Sequence, residues 1–144
     1  MQVRAPADLP EDALNEIIDQ LRPRLERERQ QRQAKASEEL ATRAEVLNRR
    51  YFSGRLSIRR VGYVRNQQHR FGSCSPHYGV IRISHRVAAM PSWVIDYVLV
   101  HEMAHIVEPN HSSRFWALVR RYPRAERARG FLMGVSAASG AGDP

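Results

Sequence analysis

The sequence is nearly without cysteine: Cys74 stands alone in 144 residues. That excludes an internal disulfide and any metal site built on several thiolates, and it leads to the expectation of a reducing, cytoplasmic setting. Any metal chemistry must draw on the six histidines. Long apolar runs are missing too, and no stretch approaches the roughly 18 residues that would span a bilayer. The first thirty residues carry Asp8, Glu11, Asp12, Glu16 and Asp19 with no apolar segment, so they do not read as a secretory signal. Glycine and proline number only eight each, too few for a collagen-like or wholly disordered chain. A chain of this length suits one globular domain that buries about two-thirds of its unfolded surface.

Lysine is as scarce as cysteine. Lys35 is joined by 22 Arg against 15 acids, for a net charge of +8. Acids are absent from residues 46–95, which hold nine Arg, whereas residues 1–45 hold eight bases and ten acids and residues 96–144 six Arg and five acids. The basic segment 49–86 would attract a polyanion such as nucleic acid. A strand pair with solvated Arg faces accounts for the same pattern, and the arginines are not interleaved with aromatics as a base-stacking surface requires.

Apolar spacing supplies the elements. Leu14, Ile17, Ile18, Leu21 and Leu25 after Pro10 predict an amphipathic helix over residues 11–32, kinked or split at Pro23. Ser37 is placed to cap a second helix with the stripe Leu40, Ala44, Leu47 and Tyr51, closed by Ser53-Gly54. Leu56, Ile58, Val61 and Tyr63 alternate as a strand with a bulge at Arg59-Arg60. A turn at residues 72–76 precedes a second strand over 79–84. Pro91-Ser92 opens a helix to about Val107 that has almost no polar face and must be central. Glu108-Pro109 breaks it, and Asn110 or Ser112 caps a helix holding Phe115, Trp116, Leu118 and Val119. The expected organisation is an N-terminal helical segment over 1–35, a main domain over 36–134, and a disordered tail over 135–144 rich in small residues.

Within the apolar helix stands His101-Glu102-Met103-Ala104-His105, followed by His111. Chance would give H-E-x-x-H in such a chain about 2% of the time. Residues four apart on a helix lie roughly 6 Å apart along one face, so both imidazoles can reach one ion. The turn at Pro109-Asn110 lets His111 supply a third nitrogen, leaving the fourth tetrahedral position of a zinc ion for water. Glu102 flanks the ion, placed to act as general base toward a metal-activated water and to return the proton to a leaving amine. The predicted chemistry is amide hydrolysis with one Zn2+ on His101, His105 and His111. Ordinary core histidines are the plainer explanation, but two imidazoles and a carboxylate in an apolar helix are costly to bury without a cation. Tyr78, His77, Arg70 and Tyr122 are candidates for stabilising the tetrahedral intermediate. Cys74, His69, His77 and His85 read more simply as packing or surface residues.

Arg70-Phe71-Gly72-Ser73-Cys74-Ser75, His101-Glu102-Met103-Ala104-His105 and Asn110-His111-Ser112 with Phe115-Trp116 resemble the motifs R-W-G-S-C-S, H-E-L-x-H and N-H-S-x-x-F-W of the YgjP-like metallopeptidases, relatives of the SprT-like zincins. The resemblance spans about residues 36–134, with Phe71 for Trp and Met103 for Leu. It implies an α+β, compact zincin-like domain: a small, mostly antiparallel sheet packed on the buried active-site helix, with N-terminal helices. It further implies a zinc peptidase with His101, His105 and His111 as ligands, Glu102 as the catalytic acid, and a peptide or protein substrate. Metzincins share the histidine spacing but place Gly where Glu108 stands. Glu108 or Glu126 would be the third ligand of a gluzincin arrangement and rank below His111. The alternatives of another class are an endoribonuclease with H-x3-H-x5-H ligands, disfavoured by Glu102, a DNA-recruited SprT-like protease, and a non-catalytic metal-binding module.

Overall fold

The computed structural model describes residues 11–67 and 70–139. Contacts divide the chain into two units, Met1–Lys35 and Ala36–Pro144.

In the first unit the described residues are helical and belong to α1 (Glu11–Tyr51), which has acids in its first turn and Arg49 and Arg50 in its last, as the helix dipole favours. Nearly every side chain over 11–35 is exposed, including Ile17, Ile18, Leu21 and Leu25. The expected break at Pro23 and fresh start at Ser37 are not found, because one helix runs through both. Around Pro23 the helix is exposed, so the carbonyl left without an N–H partner is open to solvent, and the Glu, Arg, Gln and Ala that follow are good helix formers. Pro10 lies outside the described residues.

The second unit holds the core. Leu40, Ala44 and Leu47 of α1 are buried, as their spacing predicts. Ser37 caps nothing; its hydroxyl accepts a hydrogen bond from the N–H of Tyr63 at 3.0 Å. The helix closes at Ser53 and Gly54, both at positive φ. Asn48 then holds the chain beyond it, donating to the Leu56 carbonyl at 2.9 Å and accepting from the Leu56 N–H at 3.2 Å.

Three short strands, β1 (Arg60–Val64), β2 (Gly72–Ser75) and β3 (Val80–Ser84), form a sheet in the order β1-β3-β2. The N–H groups of Arg59 and Arg60 both donate to the Gly79 carbonyl, at 2.8 and 3.3 Å, the two-on-one pattern of a bulge. The first strand therefore begins at Arg60, later than the alternation from Leu56 suggests. Gly72 to Ser75, read as a turn from its small residues, is an edge strand antiparallel to β3 with Gly72 opposite Ile83. Its turn lies one step later, where Gly79 sits at φ 64 with the Ser57 carbonyl in the space a Cβ would fill. Because β2 and its turn intervene in the chain, β1 and β3 run parallel, Arg60 opposite Val80, and the sheet is mixed rather than mostly antiparallel.

Against this sheet lies α2 (Ser92–Val107), buried continuously from Asp96 to Ala104. It stops at Glu108 before Pro109, and α3 (Ser113–Val119) starts with Ser112 accepting from the Phe115 N–H at 3.3 Å. A last helix, α4 (Ala125–Ser139), buries Ala125, Ala128, Leu132 and Ser136 at near-fourfold spacing. It runs five residues past Gly134, into the segment expected to be disordered. Alanines favour the helix there and Val135 packs on the core. Residues 140–144 lie outside the described residues. The architecture is α+β, with α2 as its central rod. No helix of the described residues is long and apolar enough to cross a membrane.

Arg43 of α1 clamps Asp96 of α2 through two hydrogen bonds, Nε to Oδ1 at 2.8 Å and a terminal nitrogen to Oδ2 at 2.7 Å. The Asp96 side chain is only 9% exposed and the Arg43 side chain 45%. Arg43→Met strands a buried carboxylate, while Asp96→Asn leaves the exposed partner hydrated. Denaturant unfolding is therefore expected to show a loss of about 1–3 kcal/mol for Arg43→Met and a smaller one for Asp96→Asn.

Candidate metal centre

His101 and His105 are one turn apart on α2, and the Pro109 break followed by the Ser112 cap turns the chain so that His111 comes back to them. The three ligand nitrogens all lie within 4.8 Å of one another, the one such cluster of three among the described residues. Four ligands at about 2.0–2.1 Å from a tetrahedral ion stand roughly 3.4 Å apart, so the group is close to the spacing zinc requires. Neither Glu108 nor Glu126 belongs to the cluster. The Glu108 carbonyl faces His105 Nδ1 at 3.2 Å, and Glu126 is an exposed partner of Arg120 at 3.4 Å.

Nitrogen roles follow from these neighbours. A carbonyl only accepts, so His105 Nδ1 carries the proton and Nε2 keeps its lone pair. That Nε2 stands 3.1 Å from His111 Nε2. Phe115, fully buried, lies beneath all three rings, with centroids 5.0 Å from His101, 4.4 Å from His105 in a stacked geometry, and 4.9 Å from His111. Burial, helped by the neighbouring imidazoles and Arg129, pushes the His101 ring down to about 3, and burial also lowers His105 against the Glu108 hydrogen bond. Neutral imidazoles are the form a metal needs. His101 Nδ1 is buried without a partner. The donor set fits a zinc ion.

Glu102 follows His101 and is 6% exposed. Burial pushes its carboxyl up to about 8, opposed by the charge of Arg70. Gly72 makes room for it, since a Cβ there would lie 3.1 Å from Glu102 Cγ and Oε2 and 3.2 Å from the Arg82 carbonyl. A cavity of about 670 Å³ opens over these groups, walled by β2 on one side and by Trp116 and Arg129 on the other.

A family model for the YgjP-like metallopeptidase domain matches residues 55–132, more than half of the chain. The chain belongs to the YgjP-like metallopeptidase family. This YgjP-like protein is accordingly a metal-dependent hydrolase of peptide or protein substrates. Among solved structures it is similar to the metallopeptidase zymogen of Pyrococcus abyssi abylysin, with a TM-score of 0.59 and 20% identity over 73% of this chain and 99% of that one. That likeness is one of fold. Among curated proteins none matches the sequence significantly.

Of the residues singled out as intermediate stabilisers, Arg70 alone lines the YgjP-like cavity. Tyr78 is 64% exposed in the β2–β3 turn, with His77 edge-on to it at 5.9 Å. Tyr122 is spent on packing, its hydroxyl donating to the Trp93 carbonyl at 2.8 Å. Cys74 lines the cavity half-buried, its thiol pushed up to about 12 by burial and by the Glu102 charge. His85 is exposed beyond β3, and His69 lies outside the described residues. In the basic segment Arg82 bonds Ser75 Oγ at 3.0 Å and Arg86 lies over Phe71 at 4.9 Å, so part of that charge is used within the fold. Sequence reasoning missed Tyr97 and Arg129 as cavity residues. Tyr97 was within reach, four residues before His101 on the same stripe, whereas Arg129 comes from a helix that the periodicity did not reveal.

Proposed function

We propose that the protein is a zinc-dependent peptidase that holds one Zn2+ on His101, His105 and His111 and uses Glu102 as general base. One observation carries the reading: three imidazole donors gather within 4.8 Å toward one end of a buried helix, and the residue that follows the first of them is a buried carboxylate. Bound there, zinc would polarise the substrate carbonyl and bring the pKa of water from 15.7 to about 7. Glu102, whose ionised form a cation bound on the histidines would favour, takes the proton of the attacking water and gives it to the departing amine. Arg70 offers a cation beside that carboxylate. The edge of β2 away from β3 offers N–H and C=O groups to which an extended peptide can add as a strand. The single thiol supports a cytoplasmic setting.

The test is elemental analysis together with digestion of a peptide library, before and after chelation and with and without single-stranded nucleic acid. One zinc per chain, activity lost on chelation and restored by zinc, and indifference to nucleic acid are expected. Undiminished digestion by the metal-free chain would overturn the reading. Because protons compete for the imidazoles, zinc content should fall below about pH 6. Metal retained unchanged through pH 5 would argue against a three-histidine site.

A further inference from the structure

Among the described residues four buried side-chain polar atoms have no hydrogen-bond partner, and three of them belong to residues of the metal-site cavity: the Tyr97 hydroxyl, His101 Nδ1 and Arg129 Nε. Native proteins leave few such atoms orphaned, and a cluster of them in one cavity calls for a ligand. All three point to the same chemistry. The guanidinium only donates, a phenol donates, and an imidazole that gives Nε2 to a metal carries its proton on Nδ1.

The wall is built to hold this arrangement. Arg129 of α4 lies over the Trp116 ring of α3 at 4.7 Å, which fixes the guanidinium while leaving its edge free. Tyr97 is 1% exposed, one turn before His101 on α2, with ring centroids 6.0 Å apart. Nearby charges leave Arg129 unneutralised. The other guanidinium lining the cavity, Arg70, acts on Glu102, and Glu126, one turn before Arg129, bonds Arg120.

We infer that Tyr97 and Arg129, with the His101 N–H between them and the metal, form a subsite for a carboxylate of the substrate. Four residues of helix, the step from Tyr97 to His101, rise roughly 6 Å, and an extended peptide advances about 3.3 Å per residue, so the carboxylate belongs one or two residues from the bond that is cut. Two sources share this chemistry, the C-terminal carboxylate of a peptide and an Asp or Glu side chain. The inference rests on the peptidase reading for the position of the cut bond, but not for the binding of the anion.

The experiment uses the full chain loaded with zinc and peptides of one sequence in three forms: free C-terminus with Asn or Gln near the cut bond, the same with an amidated C-terminus, and amidated with Asp or Glu in place of Asn or Gln. Cleavage rates are measured with wild type, Arg129→Met and Tyr97→Phe. Binding is measured by calorimetry on Glu102→Gln with and without Arg129→Met. A carboxylate form is expected to be favoured at least tenfold in kcat/KM and in affinity. Which form wins identifies the source. Arg129→Met should bring the ratio to within about twofold, Tyr97→Phe should reduce it less, and zinc content should stay at one per chain. Equal handling of all three forms by wild type, or an unchanged ratio in Arg129→Met, overturns the subsite and leaves the peptidase reading standing. Selective binding of a carboxylate form by a protein that cleaves none supports the subsite and removes the peptidase reading.

Discussion

Glu102→Gln is expected to keep one zinc ion bound while lowering kcat by about 10²–10⁴-fold, the range that a positioned general base contributes. The variant is nearly isosteric, so the room left by Gly72 still accommodates it and the three imidazoles are untouched. Elemental analysis and single-turnover digestion would separate the two effects; full turnover with metal in place would take Glu102 out of the chemistry. The same variant has a signature without metal. The wild-type carboxyl is raised from its ordinary 4.5 to about 8 by burial. Between those values the folded chain holds a proton that the unfolded chain has released. This group therefore stabilises metal-free wild type fully below about pH 4.5 and progressively less as the pH rises to 8. Glutamine carries no such proton. The stability of metal-free wild type relative to Glu102→Gln should decline from pH 5 to pH 8, read from denaturant midpoints; a constant difference would mean that the carboxyl titrates as it does in water.

Phe115→Ala carries the largest expected cost in stability, about 3–5 kcal/mol for emptying a fully buried aromatic position. The effect should not stop at stability. Phe115 is the common floor under His101, His105 and His111, and a cavity there frees each ring to turn. Loss of a ligand's hydrogen-bonded outer partner weakens metal binding by about 10–100-fold, and loss of this packing floor is expected to lower zinc affinity in the same direction. Phe115→Leu fills most of the space and should show a smaller fall in both quantities. Competition titration for zinc beside an unfolding curve makes the comparison, and a destabilised variant with unaltered zinc affinity would reduce Phe115 to a core residue.

Much of this site was legible in the sequence because its parts obey short-range rules. The apolar run from Trp93 to Val107 leaves only a buried rod as its fold. The fourfold histidine spacing sets two rings on one face, and Pro109 with Ser112 turns the chain so that a nearby third ring returns. What stayed hidden depends on long-range neighbours. The strand at Gly72 looks like a turn until β3 supplies its partner and Glu102 its reason for having no side chain. The unbroken passage through Pro23 goes with its exposure to solvent and the strong helix formers around it. Ser37, a helix cap by composition, is claimed by Tyr63 across 26 residues of chain. Arg129 acquires meaning only when Trp116 and Tyr97 are seen beside it.

The space that Gly72 leaves empty is the space that Glu102 borders. Any side chain at position 72 would begin 3.1 Å from the Glu102 carboxylate, so only a bare strand leaves that group its place. A peptide added along the edge strand β2 would thus lie beside the proton acceptor with no side chain of position 72 to part them.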